Sequence, residues 1–183
     1  MVVQRKVFTV DEFWRLAELP ENQERCLELI NGEIVEKMPT YLHGVIIALL
    51  TSVLFIYLRQ NPIGHVAVEA RFRVPGSHAH DVIPDLALIF HEKGEVVSEG
   101  AAPYMPDLGA EVQDEDQSDK FMLDRGKYYL TNGSRMVWLI YTEQQIVEIL
   151  TSDARFFLGI EDIISGGDVL PGFSLPIREL FAE

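Results

Sequence analysis

Apolar and polar positions along the 183-residue chain change period several times, and each change marks an element. Thr9 followed by Glu12 has the spacing of a capping box, and Phe13, Leu16 and Ala17 recur at helical intervals, which predicts a short N-terminal helix ending before Pro20. Leu27 to Ile30 and Glu33 to Glu36 are short alternating runs joined by Asn31-Gly32, the dipeptide best suited to a type I′ turn, and they predict a hairpin. The apolar run from Val45 to Leu58 lies in a predicted helix over Leu42 to Arg59. It is shorter than the roughly 20 residues of a membrane span and closed by Arg59 and Gln60, so it is expected to be a buried helix.

The second half alternates in the same way. Gly64 to Val74 sets Val66, Val68, Ala70, Phe72 and Val74 against more polar neighbours, the two-residue period of a half-exposed strand. After a short crossing at Ser77 to Asp81, Pro84-Asp85 marks the entrance to Leu86–Phe90, nearly all apolar and expected to be a strand buried on both faces. A long loop follows, then a strand over Leu108 to Gln113 and a helix over Ser118 to Leu130 stopped by Asn132-Gly133. Met136 to Tyr141 and Gln145 to Leu150 form a predicted antiparallel pair turning at Thr142 to Gln144. Helices on a mixed sheet make this an α/β or α+β fold of modest size. With no repeat, low-complexity tract or long linker, residues 1–183 are expected to form one domain.

Composition narrows the classes. A content of 48% hydrophobic and 24% charged residues is globular and excludes general disorder. Lys and Arg number 15 against 29 Asp and Glu, a net charge of −14, so the chain as a whole repels a phosphate backbone and nonspecific nucleic-acid binding is disfavoured. A divalent cation inverts the field where it sits, so a metal-bridged cleft stays open. Cys26 stands alone and predicts a reduced, intracellular protein in which it is a small buried apolar residue. Met1 to Trp14 mixes charges with apolar residues and shows no secretory h-region, which predicts a cytoplasmic protein with no membrane partner.

Candidate chemistry begins with Asp85 and Glu111, both on predicted core strands among Leu, Ala, Ile and Val. An ionised carboxylate buried there costs several kcal/mol or takes up a proton, so two aimed at one point call for a cation or a shared proton. Carboxylate ligation completed by water suits Mg²⁺ or Mn²⁺ and leaves room for a substrate phosphate. Gln113, two residues along the strand, shares the face of Glu111 and is expected beside the metal while Val112 packs inward. Asp114, Glu115, Asp116 and Asp119 precede or open the next helix and are expected mainly to cap and solubilise it. That helix carries Lys120, Arg125 and Lys127. If Arg125 projects toward the sheet, it can stabilise charge on a phosphoryl oxygen.

These residues together are similar to a known pattern. Glu28 within Leu-Glu-Leu-Ile-Asn-Gly-Glu-Ile-Val-Glu, His43, Pro84-Asp85, Glu111-Val112, Tyr129 with Gly133, Trp138 and Leu170-Pro171-Gly172-Phe173 resemble the Uma-two family of restriction-endonuclease-like proteins over nearly the whole chain. That family resembles the PD-(D/E)XK nucleases, whose core runs αβββαβ through a mixed sheet flanked by helices. The resemblance implies that Asp85 and Glu111 are metal ligands and that Glu28 and His43 line the same cleft. It implies a lysine two residues after the second acid, where this chain has Gln113; the family's usual helix lysine corresponds to Arg125, with Lys120 as another substitute. Arginine keeps the charge but cannot give up a proton. The family's Ser-Pro after the Glu-Val strand is replaced by Asp114 and Glu115.

Each residue has a structural alternative. Asp85 can cap a turn. Glu111 can pair with Arg71 or Arg73 across the sheet. His43 can be an exposed or hydrogen-bonded residue, Arg125 a solvated helix cation and Glu28 the polar face of the hairpin, while Trp138, Tyr128 and Tyr129 can serve as core or dimer surface. The expected function is a Mg²⁺- or Mn²⁺-dependent endonuclease hydrolysing DNA, with Gln113, Arg125 or Lys120 assisting Asp85 and Glu111, and a two-fold homodimer to address two strands. Two alternatives remain: a nuclease-fold protein impaired in hydrolysis that binds or assembles, and a phosphodiesterase for small substrates.

Overall fold

The computed structural model describes residues 7–30, 32–37, 39–76, 81–115 and 117–181, apart from the side chain of Lys37. The turn residue Asn31, the crossing at 77–80 and Asp116 lie outside the described residues. Helix α1 (Val10–Ala17) starts at the expected capping box, with the Thr9 hydroxyl and the Glu12 carboxylate each accepting from the other's backbone N–H. Strands β1 (Cys26–Ile30) and β2 (Glu33–Lys37) pair as the hairpin, Cys26 being half-buried. Gly32 takes φ +76°, and a Cβ there would collide with Val7.

Helix α2 (Tyr41–Gln60) follows, capped by Thr40, whose hydroxyl accepts from the His43 N–H. It is longer than expected, and apolar enough over its twenty residues to cross a membrane by length and composition. Nor is it a buried helix. One side, through Ile46, Ile47, Leu50, Leu54 and Leu58, is buried among the apolar residues of a sheet, while Tyr41, Phe55 and Ile56 on the other are exposed.

The predicted strand over Gly64 to Val74 is two strands in two sheets. β3 (Gly64–Val68) pairs antiparallel with β6 (Leu86–Phe90), whereas β4 (Phe72–Arg73) pairs with β5 (Asp81–Val82) in the sheet of the hairpin. The break falls at Glu69, held at φ 49° with its N–H donating to the Asp85 carbonyl. A left-handed conformation costs a non-glycine residue about 1–2 kcal/mol. Alternation continues across the kink and conceals it.

β7 (Leu108–Val112), α3 (Asp119–Thr131) and β8 (Met136–Tyr141) form a βαβ unit, since β7 and β8 are parallel. β9 (Ile146–Thr151) and β10 (Arg155–Leu158) extend the sheet, giving the order β10-β9-β8-β7-β6-β3. A second sheet has the order β2-β1-β5-β4, and β11 (Ile163–Gly166) pairs with β12 (Leu170–Pro176) before the short α4 (Ile177–Leu180). Helices packed on a mixed six-stranded sheet are the α+β arrangement predicted.

The core divides by strand parity. Leu86, Leu88, Leu108, Ala110, Val112, Met136, Trp138 and Ile140 cluster with α2. The opposite face, with Ala87, Ile89, Val137 and Leu139, clusters with Met122 and Tyr129 of α3. Gly126 lets α3 lie low on this face: a Cβ there would meet Leu150 at 2.6 Å.

Replacing Gly64 with alanine would put a Cβ 2.2 Å from the Ile89 carbonyl oxygen across the β3–β6 pair. The Gly64→Ala protein is expected to lose about 1–3 kcal/mol and melt several degrees lower. An unchanged Tm would contradict this close pairing.

Candidate active site

Strand register brings the two predicted acids together. Leu86 faces Ala110 and Ala87 faces Gly109 in the antiparallel β6–β7 pair, so continuing one residue sets Asp85 opposite Glu111. Residues opposite each other share a face, with Cβ atoms about 4.5–5.5 Å apart. The Asp85 carboxylate accepts from the Val112 N–H at 2.8 Å, one residue beyond Glu111. Both acids are buried, Asp85 being 2% and Glu111 3% exposed. Like charges placed so are mutually destabilising, so the arrangement calls for positive charge nearby.

Arg125 supplies some of it. Met122, Arg125, Gly126 and Tyr129 are the buried residues of α3, at the three- and four-residue spacing of one helix face. The guanidinium donates to both Glu28 oxygens, at 2.8 and 2.9 Å, and to the Ile83 carbonyl at 2.9 Å. Its Nε lies 2.8 Å from Glu111 Oε1, but that N–H is not aligned for a hydrogen bond, so the contact is an ion pair. The Tyr129 hydroxyl donates to the same Glu111 oxygen. Burial alone would lower the basicity of Arg125. Glu111 and Glu28 outweigh it and hold the group well above an ordinary arginine. Burial, reinforced by the same acids against Arg125, keeps Tyr129 a neutral phenol well beyond its usual range.

On the other side of Asp85 stands His43. Its Nε2 lies 3.5 Å from Asp85 Oδ2 and its Nδ1 3.2 Å from Asp114 Oδ1. Asp114 Oδ1 also accepts from the Thr40 N–H, tying the start of α2 to the end of β7. Asp114, expected to cap and solubilise, is therefore a buried member of the cluster. Its signal was its place two residues past the strand end, which charge counting merged with an ordinary acidic helix start.

The remaining predicted residues separate. Gln113 donates its side-chain amide to the Gln117 carbonyl and the Asp119 carboxylate, so it braces the entry to α3. Lys120, its side chain 83% exposed, pairs with Asp124 on the outer face of α3 and does not reach the cluster. Glu28 and His43 do reach it and are neither surface residues nor solvated. Arg71 donates to the Leu27 carbonyl and Arg73 pairs with Asp81, so Glu111 takes its charge partner from α3 instead. Arg125 is 6% exposed, which removes the solvated-cation alternative.

Two hollows flank the cluster. One of about 290 Å³ is lined by Val35, Val82, Phe121, Arg125 and Tyr129, and a smaller one of about 110 Å³ by Gln113, Asp114 and Asp119. A larger groove, about 710 Å³, is lined by Ser134 to Met136 at the opposite end of β8 and includes none of the predicted site residues. Among the described residues no group of three or more His, Cys, Asp or Glu is arranged as a ready metal cage. Carboxylate oxygens such as those of Asp85 and Glu111 are the kind of donor that hard cations take.

Comparison with known proteins gives a consistent picture. A family model described as "Uma2: Putative restriction endonuclease" matches residues 10–178. No curated protein matches the chain. Among solved structures, one from Anabaena variabilis described as "a putative nuclease belonging to DUF820" superposes with a TM-score of 0.80 at 24% identity, over 95% of this chain and 97% of that one. At that identity the likeness establishes the fold.

Two outcomes test the cluster. Glu28→Ala leaves the buried Arg125 guanidinium without its bidentate partner and is expected to cost about 3–5 kcal/mol, read by urea unfolding. A loss below about 1 kcal/mol would contradict a buried bidentate pair. In an ultraviolet titration, Tyr128 should ionise at about 12. A phenol whose folded pKa is raised contributes stability present below its ordinary value near 10 and lost as pH climbs through the folded value. Tyr129 should therefore ionise only as the protein unfolds in alkali. Its titration near 10 in the folded protein would contradict its burial against Glu111.

Proposed function

Since the chain belongs to the Uma2 family of restriction-endonuclease-like proteins, we propose that it is a divalent-metal-dependent endonuclease hydrolysing DNA phosphodiester bonds. It would act as one domain within a cytoplasmic homodimer. The observation that carries this reading is the Val112 N–H, next to Glu111 on β7, donating to Asp85 just before β6, in line with the antiparallel register of Leu86 with Ala110. These two carboxylates would hold Mg²⁺ or Mn²⁺, which, when bound, supplies Lewis-acid activation of water and of the scissile phosphate.

The chain's own groups divide the remaining work. Arg125 cannot act as a base, because a guanidinium held well above its ordinary value does not release a proton. It and Tyr129, both on α3, engage the same oxygen of Glu111, so the carboxylate would enter the reaction already oriented. His43, with a carboxylate at each ring nitrogen, is oriented from both ends and is the residue placed to hold or pass a proton beside Asp85. Gln113 serves by shaping the loop into α3. Glu28 is a positioning residue that acts through Arg125.

A specific observation also favours a second reading. The guanidinium shared by Glu28 and Glu111 occupies ground next to the proposed cation, so a protein that binds metal but has lost hydrolysis fits the same geometry.

Metal titration followed by cleavage of plasmid, oligonucleotide and a small phosphodiester separates the readings. Mg²⁺- or Mn²⁺-dependent DNA cleavage is expected, reduced about 100-fold or more in Asp85→Ala. Metal binding without cleavage of any substrate selects the second reading. Cleavage of the small ester alone, or cleavage unaffected by Asp85→Ala, contradicts the first.

A further inference from the structure

Helix α2 offers solvent a face built like an interface. Tyr41 is 90% exposed, Ile56 60% and Phe55 55%, with Leu42 and Val45 open beside them. Positions 41, 45, 48, 52, 55 and 59 alternate steps of four and three residues, the spacing of a helix-to-helix seam. Gly44, Ala48 and Ser52 lie exposed along the middle and would let a second backbone approach closely.

Charge identifies the occupant. The chain carries −14, yet no Asp, Glu, Lys or Arg occurs from Tyr41 to Leu58. Two copies of so acidic a molecule repel wherever carboxylates meet, and on this face they need not meet. A phosphate backbone finds no cations here apart from Arg59 at the far end. Helices that lie on anionic bilayers carry Lys and Arg along their polar flank, and this one does not.

The face is also complementary to itself. A two-fold axis crossing the helix between Ala48 and Leu49 sets Tyr41 against the partner's Ile56. Small residues then fall at the crossing and large ones at both ends. The five large side chains expose on the order of 600 Å² per copy, most of the roughly 800 Å² per partner of a standard interface.

We infer that α2 is the interface of a two-fold homodimer, packed antiparallel against α2 of a second copy. This names the surface of the assembly proposed above and rests on that reading only for its consequence. His43 belongs to the first turn of α2, so the pairing would fix two sites at a set separation. Helix rise and interaxial distance put the two His43 backbones on the order of 20 Å apart.

Sedimentation velocity with charge-swap variants tests the inference. The native chain should be a dimer at micromolar concentration. Ile56→Glu and Tyr41→Lys, both at exposed sites, should each weaken association about 100-fold while keeping the native circular dichroism. An equimolar mixture of the two should recover dimer, because the pairing sets the new Glu against the new Lys. Phe157→Glu on the exposed edge strand β10 should leave the dimer intact. A monomeric native chain, including one that instead floats with neutral phospholipid vesicles, overturns the inference. So does dissociation by Phe157→Glu but not Ile56→Glu, or a mixture that stays monomeric. DNA cleavage by a strictly monomeric native chain would sink the interface and leave the nuclease reading standing; a dimer that cleaves nothing would do the reverse.

Discussion

One guanidinium, that of Arg125, ties the distant β1 to the consecutive elements β7 and α3. It grips Glu28 of β1 with two hydrogen bonds, approaches Glu111 of β7, and rides on α3. Placing it in the interior is costly, since burial opposes its charge, and only carboxylates on both sides keep it there. The smaller sheet is therefore held in register with the larger one by a charged contact as well as by apolar packing. Gly126 beside it sets the depth at which α3 lies, and with it whether the guanidinium can reach both acids.

Other buried carboxylates show what a purely structural solution looks like. Asp81 is gripped by Arg73 and Trp14, Asp107 by Lys93 and the Phe90 N–H, and Glu148 by Arg155 and Tyr141. Each is one acid with one cation and one neutral donor. The cluster at the mouth of β6 and β7 is different in kind: Glu28, Asp85, Glu111 and Asp114 gather around one arginine and one histidine. Carboxylates gathered this closely are a setting in which a divalent cation would invert the local field, which is how an acidic chain can meet a polyanion. The family membership points the same way.

Much of this was legible in the sequence, for physical reasons that differ by element. The capping box of α1, the hairpin around Gly32, the doubly buried β6 and the α3 start at Ser118 follow from local hydrogen bonding and periodicity, and the structure contains them. The break at Glu69 was hidden because side-chain alternation runs on through a single left-handed residue. The exposed side of α2 was hidden because its apolar residues surround the whole helix, so period alone could not tell the buried side from the exposed one. At the site, the opposition of Asp85 and Glu111 could be anticipated from two acids on core strands. Arg125 could be placed only conditionally, through the helical spacing of Met122, Gly126 and Tyr129 around it. Asp114 was lost among neighbouring acids, and Lys120 looked equivalent to Arg125 until the helix face was known.

The account stands or falls on whether Asp85 and Glu111 converge on one cation. An anomalous difference map from a crystal soaked in Mn²⁺ measures this directly. The account predicts a single peak about 2.1 Å from an oxygen of each carboxylate, with Arg125 still engaging Glu28. A map with no peak there, or with manganese bound to only one of the two acids, would contradict it.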